Sequence, residues 1–228
     1  MSPKQLGIIG GAGPYASALF YRRLLDELYK QGKEIGEMVI INYPFTHPHA
    51  CETLEELDQK LCKELQQCTS LFMKVGIDQL VIVCNTLHAY LQEISPKLSC
   101  LHLPQTVIQA LREAKMSRVL ILSSEVTKRE GLYADPSYEA VYPNEEEQMQ
   151  VNQAIQHVLE AHFLKEDAEA LEKVVENISK REGVDCVVLG CTELPVLHDH
   201  HPLRTSCQLY NPIDIMVQHI GNMQCLTL

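Results

Sequence analysis

Two stretches of this chain repeat one pattern: Gly76-Ile-Asp-Gln-Leu-Val-Ile-Val-Cys84-Asn85-Thr86 and Gly183-Val-Asp-Cys-Val-Val-Leu-Gly-Cys191-Thr192-Glu193. Each opens with glycine, a β-branched residue and aspartate, runs through an apolar segment of strand length, and ends in cysteine. The spacing from aspartate to cysteine is six residues in both, Asp78 to Cys84 and Asp185 to Cys191. A short apolar run entered from a helix and left by a polar loop is the pattern of a parallel strand buried on both faces. The two cysteines stand nearly half the chain length apart in 228 residues, so the repeat predicts two related α/β halves. Each cysteine then falls at the carboxyl end of a strand, where open α/β sheets bind ligands. Taken singly, either cysteine reads as a small buried hydrophobe. The same residue at the same place in both halves, followed by Asn/Thr or Thr/Glu, reads as chemistry.

The rest of the composition narrows the class. An apolar content of 46% with 21% charged residues is that of an ordinary globular protein. No apolar run approaches the length of a membrane span, and residues 1–30 lack the features of a signal peptide, so a cytoplasmic protein is expected. Nine cysteines, an odd number, read in that setting as reduced thiols and not as a disulfide framework. The net charge of −11 argues against nucleic-acid and membrane partners and leaves any attraction of an anionic substrate to local groups.

In chain order, Leu6–Ile9 forms a strand that enters Gly10-Gly-Ala-Gly13-Pro14 and a helix to about Leu28. Gly11-x-Gly13-x-x-Ala16 formally fits a dinucleotide fingerprint, but the second strand, Met38–Ile41, continues into Asn42-Tyr-Pro44 without a ribose-binding acid. A tight strand-to-helix turn whose amides hold an anion such as a carboxylate is the simpler reading. A helix from about Leu54 to Val75 precedes the first cysteine strand, and a short helix from Leu87 follows it. The second half opens with Leu98–Leu103, a helix to about Ala114 and a strand Arg118–Leu122, with a connecting segment Tyr133–Pro143. Helices near Asn144–Phe163 and Lys165–Arg181 lead to the second cysteine strand. A short strand over Arg204–Leu209 and a closing helix to about Gly221 complete the chain. This places residues 1–98 and 210–228 in a first domain and 99–209 in a second. His47 and His49, and the run His198, His200 and His201, lack zinc-site spacing and read as solvated loop histidines, so no metal is expected.

Three motifs together carry a resemblance: Gly10-Gly-Ala-Gly-Pro14-Tyr-Ala-Ser17, Cys84-Asn-Thr-Leu-His88 and Gly190-Cys-Thr-Glu-Leu-Pro195. They resemble the cofactor-independent aspartate/glutamate racemase superfamily, most closely its aspartate-racemase branch, in consistent order from Leu6 to about Leu197. The resemblance implies two pseudo-symmetric, Rossmann-like parallel-sheet domains with the site in the cleft between them. It also implies a homodimer, no cofactor, and a small amino acid or dicarboxylate as ligand. Two departures bear on the substrate. His49 stands where that branch carries an arginine for the side-chain carboxylate, and a family lysine falls near Leu159 or Glu160.

Racemisation removes a proton from one face of Cα and returns one to the other, which calls for two opposed groups. The expected catalytic pair is therefore Cys84 and Cys191, one thiolate and one thiol, each near a helix start where cysteine acidity is raised. Charge on the α-carboxylate needs aimed donors. The candidates for substrate binding are Gly11, Gly13, Asn85, Thr86, Ser124, Thr127, Thr192, Glu193 and His49, while helix capping is the competing role for the polar ones. His88, four residues past Cys84, is placed to tune its charge. The expected function is an amino-acid racemase or epimerase acting on aspartate or a related amino acid. The alternatives are a maleate-isomerase-like enzyme and a catalytically silent carboxylate-binding protein.

Overall fold

A computed structural model describes residues 5–34, 36–47, 50–77 and 79–223; Asp78, His49 and Cys225 lie outside the described residues. The strands form two four-stranded parallel sheets of matching order. The first is built from β1 (Leu6–Gly10), β2 (Met38–Asn42), β3 (Gln79–Ile82) and β4 (Ser99–Leu101), in the order β2-β1-β3-β4. The second is built from β5 (Arg118–Leu122), β6 (Glu139–Val141), β7 (Cys186–Leu189) and β8 (Gln208–Tyr210), in the order β6-β5-β7-β8. The chain divides into two compact units, residues 1–103 with 217–228 and residues 104–216.

In the first unit β1 and β3 are buried along their whole length. Helix α1 (Pro14–Lys30) starts with proline at its first position, where no amide is needed, and buries Leu19, Phe20, Leu24 and Leu28 at helical spacing. Helix α2 (Leu54–Lys74) is capped by Thr53, whose side chain accepts from the Glu56 amide at 3.1 Å, and buries Leu57, Leu61, Leu65 and Phe72. Each such side chain contributes about 1.5–3 kcal/mol by leaving water.

The second unit carries α3 (Leu103–Glu113) from its second residue, α4 (Glu125–Arg129), α5 (Glu145–Leu159), α6 (Lys165–Glu182) and α7 (Glu193–His200). The closing helix α8 (Pro212–Asn222) divides between the units after Met216. The core of the second unit joins Val107, Ile108 and Leu111 of α3 to Val119, Ile121, Tyr133, Val188 and Tyr210. Asn144 and Glu147 form a reciprocal capping box at the start of α5, both bonds at 2.9 Å. The Glu147 carboxylate also takes Arg181 in a two-pronged pair, and that guanidinium holds its pKa below the usual range.

The repeated glycines, and the aspartate of the second copy, now have structural reasons. Gly183 (φ +63°) and Gly76 (φ +80°) end α6 and α2 in the left-handed conformation that glycine adopts without strain. The Asp185 carboxylate accepts the amides of Ser117 and Arg118 at 2.8 and 2.9 Å, clamping the starts of β7 and β5 together.

Three expectations need correction. The residues after Leu98 were expected to open the second domain, yet β4 pairs with β3 in the first sheet, and the unit changes only after Leu103. Tyr210 was expected to begin the return to the first domain, but β8 pairs with β7 and the return comes after Met216. The Tyr133–Pro143 connection contains β6, three residues paired to β5, too short to show alternation. The helices α4 and α7 follow β5 and β7, α7 starting beside Cys191 as expected.

Gly11 (φ +101°) is where backbone crowding is greatest: a Cβ there would lie 2.1 Å from the Tyr43 carbonyl oxygen. Gly11→Ala is expected to cost at least about 2 kcal/mol, from positive φ and overpacking together. Urea unfolding of wild type and variant would measure it.

Candidate functional site

In the first unit, β1 runs into a loop fastened by Ser17. Its hydroxyl accepts from the Gly11 amide at 3.1 Å and donates to the Gly13 carbonyl at 2.9 Å. A Cβ at Gly10 would strike that same side chain at 2.5 Å, so glycine lets the strand end and α1 meet. The Gly11 amide is thus directed into the loop. Gly13 stands as the cap residue of α1 in extended conformation.

Cys84 lies two residues beyond β3, and the Val83 amide before it still bonds the Ile9 carbonyl at 2.9 Å. Asn85 is buried at the head of a 3₁₀ helix (Thr86–Glu93), without capping it through its side chain. Thr86 opens that helix. His88 is fully buried, and burial first, then the neighbouring His102 ring at 4.7 Å, pulls its pKa down to about 4. It is therefore neutral at physiological pH and supplies no positive charge to Cys84, contrary to the tuning role read from the sequence.

In the second unit the corresponding positions carry different chemistry. Cys191 lies two residues beyond β7, matching Cys84 in placement, and is 9% exposed. Gly190 before it packs against the end of β5, where a Cβ would meet the Leu122 carbonyl oxygen at 3.0 Å. The Cys191 thiol donates to the Glu193 carboxylate at 2.9 Å, and Thr192 donates to the same oxygen at 3.3 Å. Glu193, 5% exposed, has its pKa raised by burial, with the bonds from Cys191 and Thr192 opposing that rise. Thr192 heads α7 without capping it through its side chain. Ser124 does act as a cap, accepting from the Thr127 amide at 3.3 Å, and its hydroxyl donates to that of Thr127 at 3.1 Å. Gln148 fixes the end of β5 from α5 by donating to the Ser123 carbonyl at 2.9 Å. Tyr133 is completely buried, its phenol pKa raised by burial and then by the Cys191 charge near it.

Each unit thus gathers its own predicted residues: Gly11, Gly13, Cys84, Asn85 and Thr86 at the carboxyl end of the first sheet, Ser124, Thr127, Cys191, Thr192 and Glu193 at that of the second. His49 lies outside the described residues. Sequence reasoning missed the organising roles of Ser17, Tyr133 and Gln148, although Ser17 sits inside the quoted glycine motif. Other cysteines separate clearly from the pair: burial pushes the Cys68, Cys100 and Cys186 thiols up to about 12, so they stay protonated and inert. The later histidines are ordered, not loose in a loop. His198 accepts the Leu203 amide at 3.0 Å, and His200 stacks on Phe163 at 4.1 Å. Among the described residues no group of three metal-ligating side chains forms, and no helix is long and apolar enough to cross a membrane.

Two parallel-sheet units of matching strand order, each with a cysteine two residues past its third strand in sequence, define a duplicated α/β protein. The chain belongs to the Asp/Glu/hydantoin racemase family, whose sequence profile matches residues 9–220. A broad specificity amino-acid racemase of Bacillus subtilis (strain 168), RacX, is 25% identical over 205 residues, spanning 86% of this chain and 88% of that protein. Among solved structures, Picrophilus torridus aspartate racemase superposes with a TM-score of 0.77 at 22% identity, covering 97% of this chain and 96% of that one. An aspartate racemase homologue from Pyrococcus horikoshii OT3 gives 0.72 at 21% identity, covering 96% and 100%.

The Glu193 pair gives a pH prediction. Burial raises the Glu193 pKa above its usual 4.5, so ionising it opposes the folded state. Stability from this group is fully present below the unfolded value and declines as pH rises through the folded one. Glu193→Gln should remove that decline, seen as a flatter plot of Tm against pH above about 4.5. The variant should also slow iodoacetamide labelling of Cys191 at neutral pH, because the thiol loses the carboxylate that accepts its proton at 2.9 Å.

Proposed function

We propose that this chain is a cofactor-independent amino-acid racemase in which Cys84 and Cys191 each serve one face of Cα. The observation that carries this reading is the twin placement of the two thiols, each two residues past an equivalent buried strand. In one direction the Cys191 thiolate removes the Cα proton while the Cys84 thiol delivers its own to the other face. The reverse direction exchanges the roles. The electron pair left at Cα spreads into the α-carboxylate, for which Asn85, Thr86, Thr127 and Thr192 are donors of the right type. Glu193 readies Cys191: its carboxylate takes the thiol proton along the 2.9 Å bond, leaving the thiolate. A buried carboxyl with a raised pKa is suited to hold that proton.

The substrate is aspartate or a related amino acid, and the broad specificity of the Bacillus relative supports screening widely. On the sequence alone, His49 is assigned to a side-chain carboxylate. His49→Arg should raise kcat/KM for aspartate relative to an uncharged analogue, most clearly above the histidine reference pKa of about 6.5. A panel of L- and D-amino acids read by chiral chromatography would identify the substrate, and efficient wild-type turnover of aspartate at pH 8 would remove the His49 assignment.

The two-thiol mechanism makes a sharper prediction. Cys84→Ser and Cys191→Ser should each abolish racemisation, since a serine hydroxyl is far too weak a base. Each keeps one thiol, so each should still exchange the Cα proton of one enantiomer with deuterium from solvent. One variant should exchange only the L form and the other only the D form. Racemisation at the wild-type rate in either single variant would end the two-thiol reading.

A further inference from the structure

The turn that carries Cys84 is held by a side chain as well as by backbone. In α-helical register the Cys84 carbonyl would accept the amide of residue 88. Here that amide bonds the Asn85 carbonyl at 3.0 Å, the tighter pattern of a 3₁₀ helix. The His88 ring meets the Cys84 carbonyl, with Nδ1 2.8 Å from its oxygen. On the ring's other side, Nε2 lies 3.0 Å from the backbone nitrogen of Leu103. A backbone amide can only donate, so Nε2 accepts. The ring proton of a neutral imidazole is then on Nδ1, which donates to Cys84. Leu103 is the first residue of α3 and the last residue of the first unit before the chain crosses. One imidazole therefore ties the backbone at Cys84 to the start of the crossing helix.

We propose that His88 is a positioning residue for Cys84, whose neutral Nδ1–H tautomer fixes the peptide following the cysteine and so the direction of its thiol. The burial of the ring and its neighbour His102 keep it neutral, as described above. The effect on turnover rests on the two-thiol reading; the tautomer and the thiol's reactivity can be measured without it.

Substitutions separate the two bonds. Asparagine places an N–H donor where Nδ1 stands and can keep the bond to Cys84, while losing the one to Leu103. Glutamine reaches toward Leu103 and loses the bond to Cys84. If His88 serves Cys84, His88→Asn should keep kcat within about tenfold of wild type, and His88→Gln should lose about 100-fold with KM little changed. The rate of Cys84 alkylation, read by mass spectrometry, should follow the same order: near wild type in His88→Asn, altered in His88→Gln. Should the wild type racemise no amino acid tested, this second readout still decides the proposal. A ring that only caps α3 would give the opposite ranking, and equal behaviour of the two variants would also overturn the proposal. Nitrogen-15 NMR of the unmutated protein decides even if a variant fails to fold. A neutral Nδ1–H ring from about pH 5 to 8 is expected, whereas an Nε2–H tautomer or an imidazolium in that range would refute it.

Discussion

A parallel strand buried on both faces can satisfy its backbone only within the sheet, and it runs out of partners where it leaves at its carboxyl end. In both units that exit comes at the third strand in sequence, and in both it is followed two residues later by cysteine. Everything nearby answers the loss of the ladder. The Val83 amide donates a last bond to the Ile9 carbonyl, the 3₁₀ turn folds the next residues back, and His88 meets the Cys84 carbonyl. At the other exit Gly190 lets the chain press on the end of β5, and the turn closes as the Leu194 amide bonds the Cys191 carbonyl at 3.1 Å. Binding chemistry gathers at these ends because unpaired backbone and freely directed side chains coincide there.

Burial sorts the thiols that composition alone could not. Cys68, Cys100 and Cys186 are pushed far from ionisation by apolar surroundings, which makes them packing residues. Cys186 illustrates the difference well, since it sits only five positions before Cys191 yet points into the core from within β7. The contrast is one of location along the strand. Inside the ladder a cysteine is a small hydrophobe; just beyond the ladder it has polar neighbours, as Cys191 has Thr192 and Glu193.

Much of this was legible in the sequence, for identifiable reasons. The repeat announced the duplicated sheets because the glycine, the aspartate and the cysteine each answer a separate demand of a helix-to-strand-to-loop passage: Gly183 the helix stop, Asp185 the strand clamp, Cys191 the exit. Long amphipathic helices such as α2 were read to within a residue or so because their apolar spacing is regular. What escaped was short or non-local. Three-residue β6 carries too few positions to alternate, and β4 belongs to the first sheet through pairing that no local pattern records. Ser17 and His88 act by folding back on backbone groups, Ser17 four and six residues away and His88 four and fifteen. Residue type alone suggested a charge role for His88, and only its depth and its two bonds show a neutral ring.

The duplication is closer in fold than in chemistry, and that inequality suits the proposed reaction. Two thiols in identical surroundings would share one acidity, and neither would be favoured as base. Here the second is hydrogen-bonded to a buried carboxylate, while the carbonyl of the first is held by an uncharged imidazole. A carboxylate beside Cys191 opposes a second negative charge, yet it can also receive the thiol's proton, so the pair carries one proton between two sites. His88 offers Cys84 no comparable acceptor, since its Nε2 takes the Leu103 amide. The two faces of Cα would then be served by thiols with different proton economies: one coupled to an internal carboxylate, the other set by the backbone that orients it. In the proposed reaction one thiol and one thiolate are held at each moment, and Glu193 and His88 give the two thiols different surroundings.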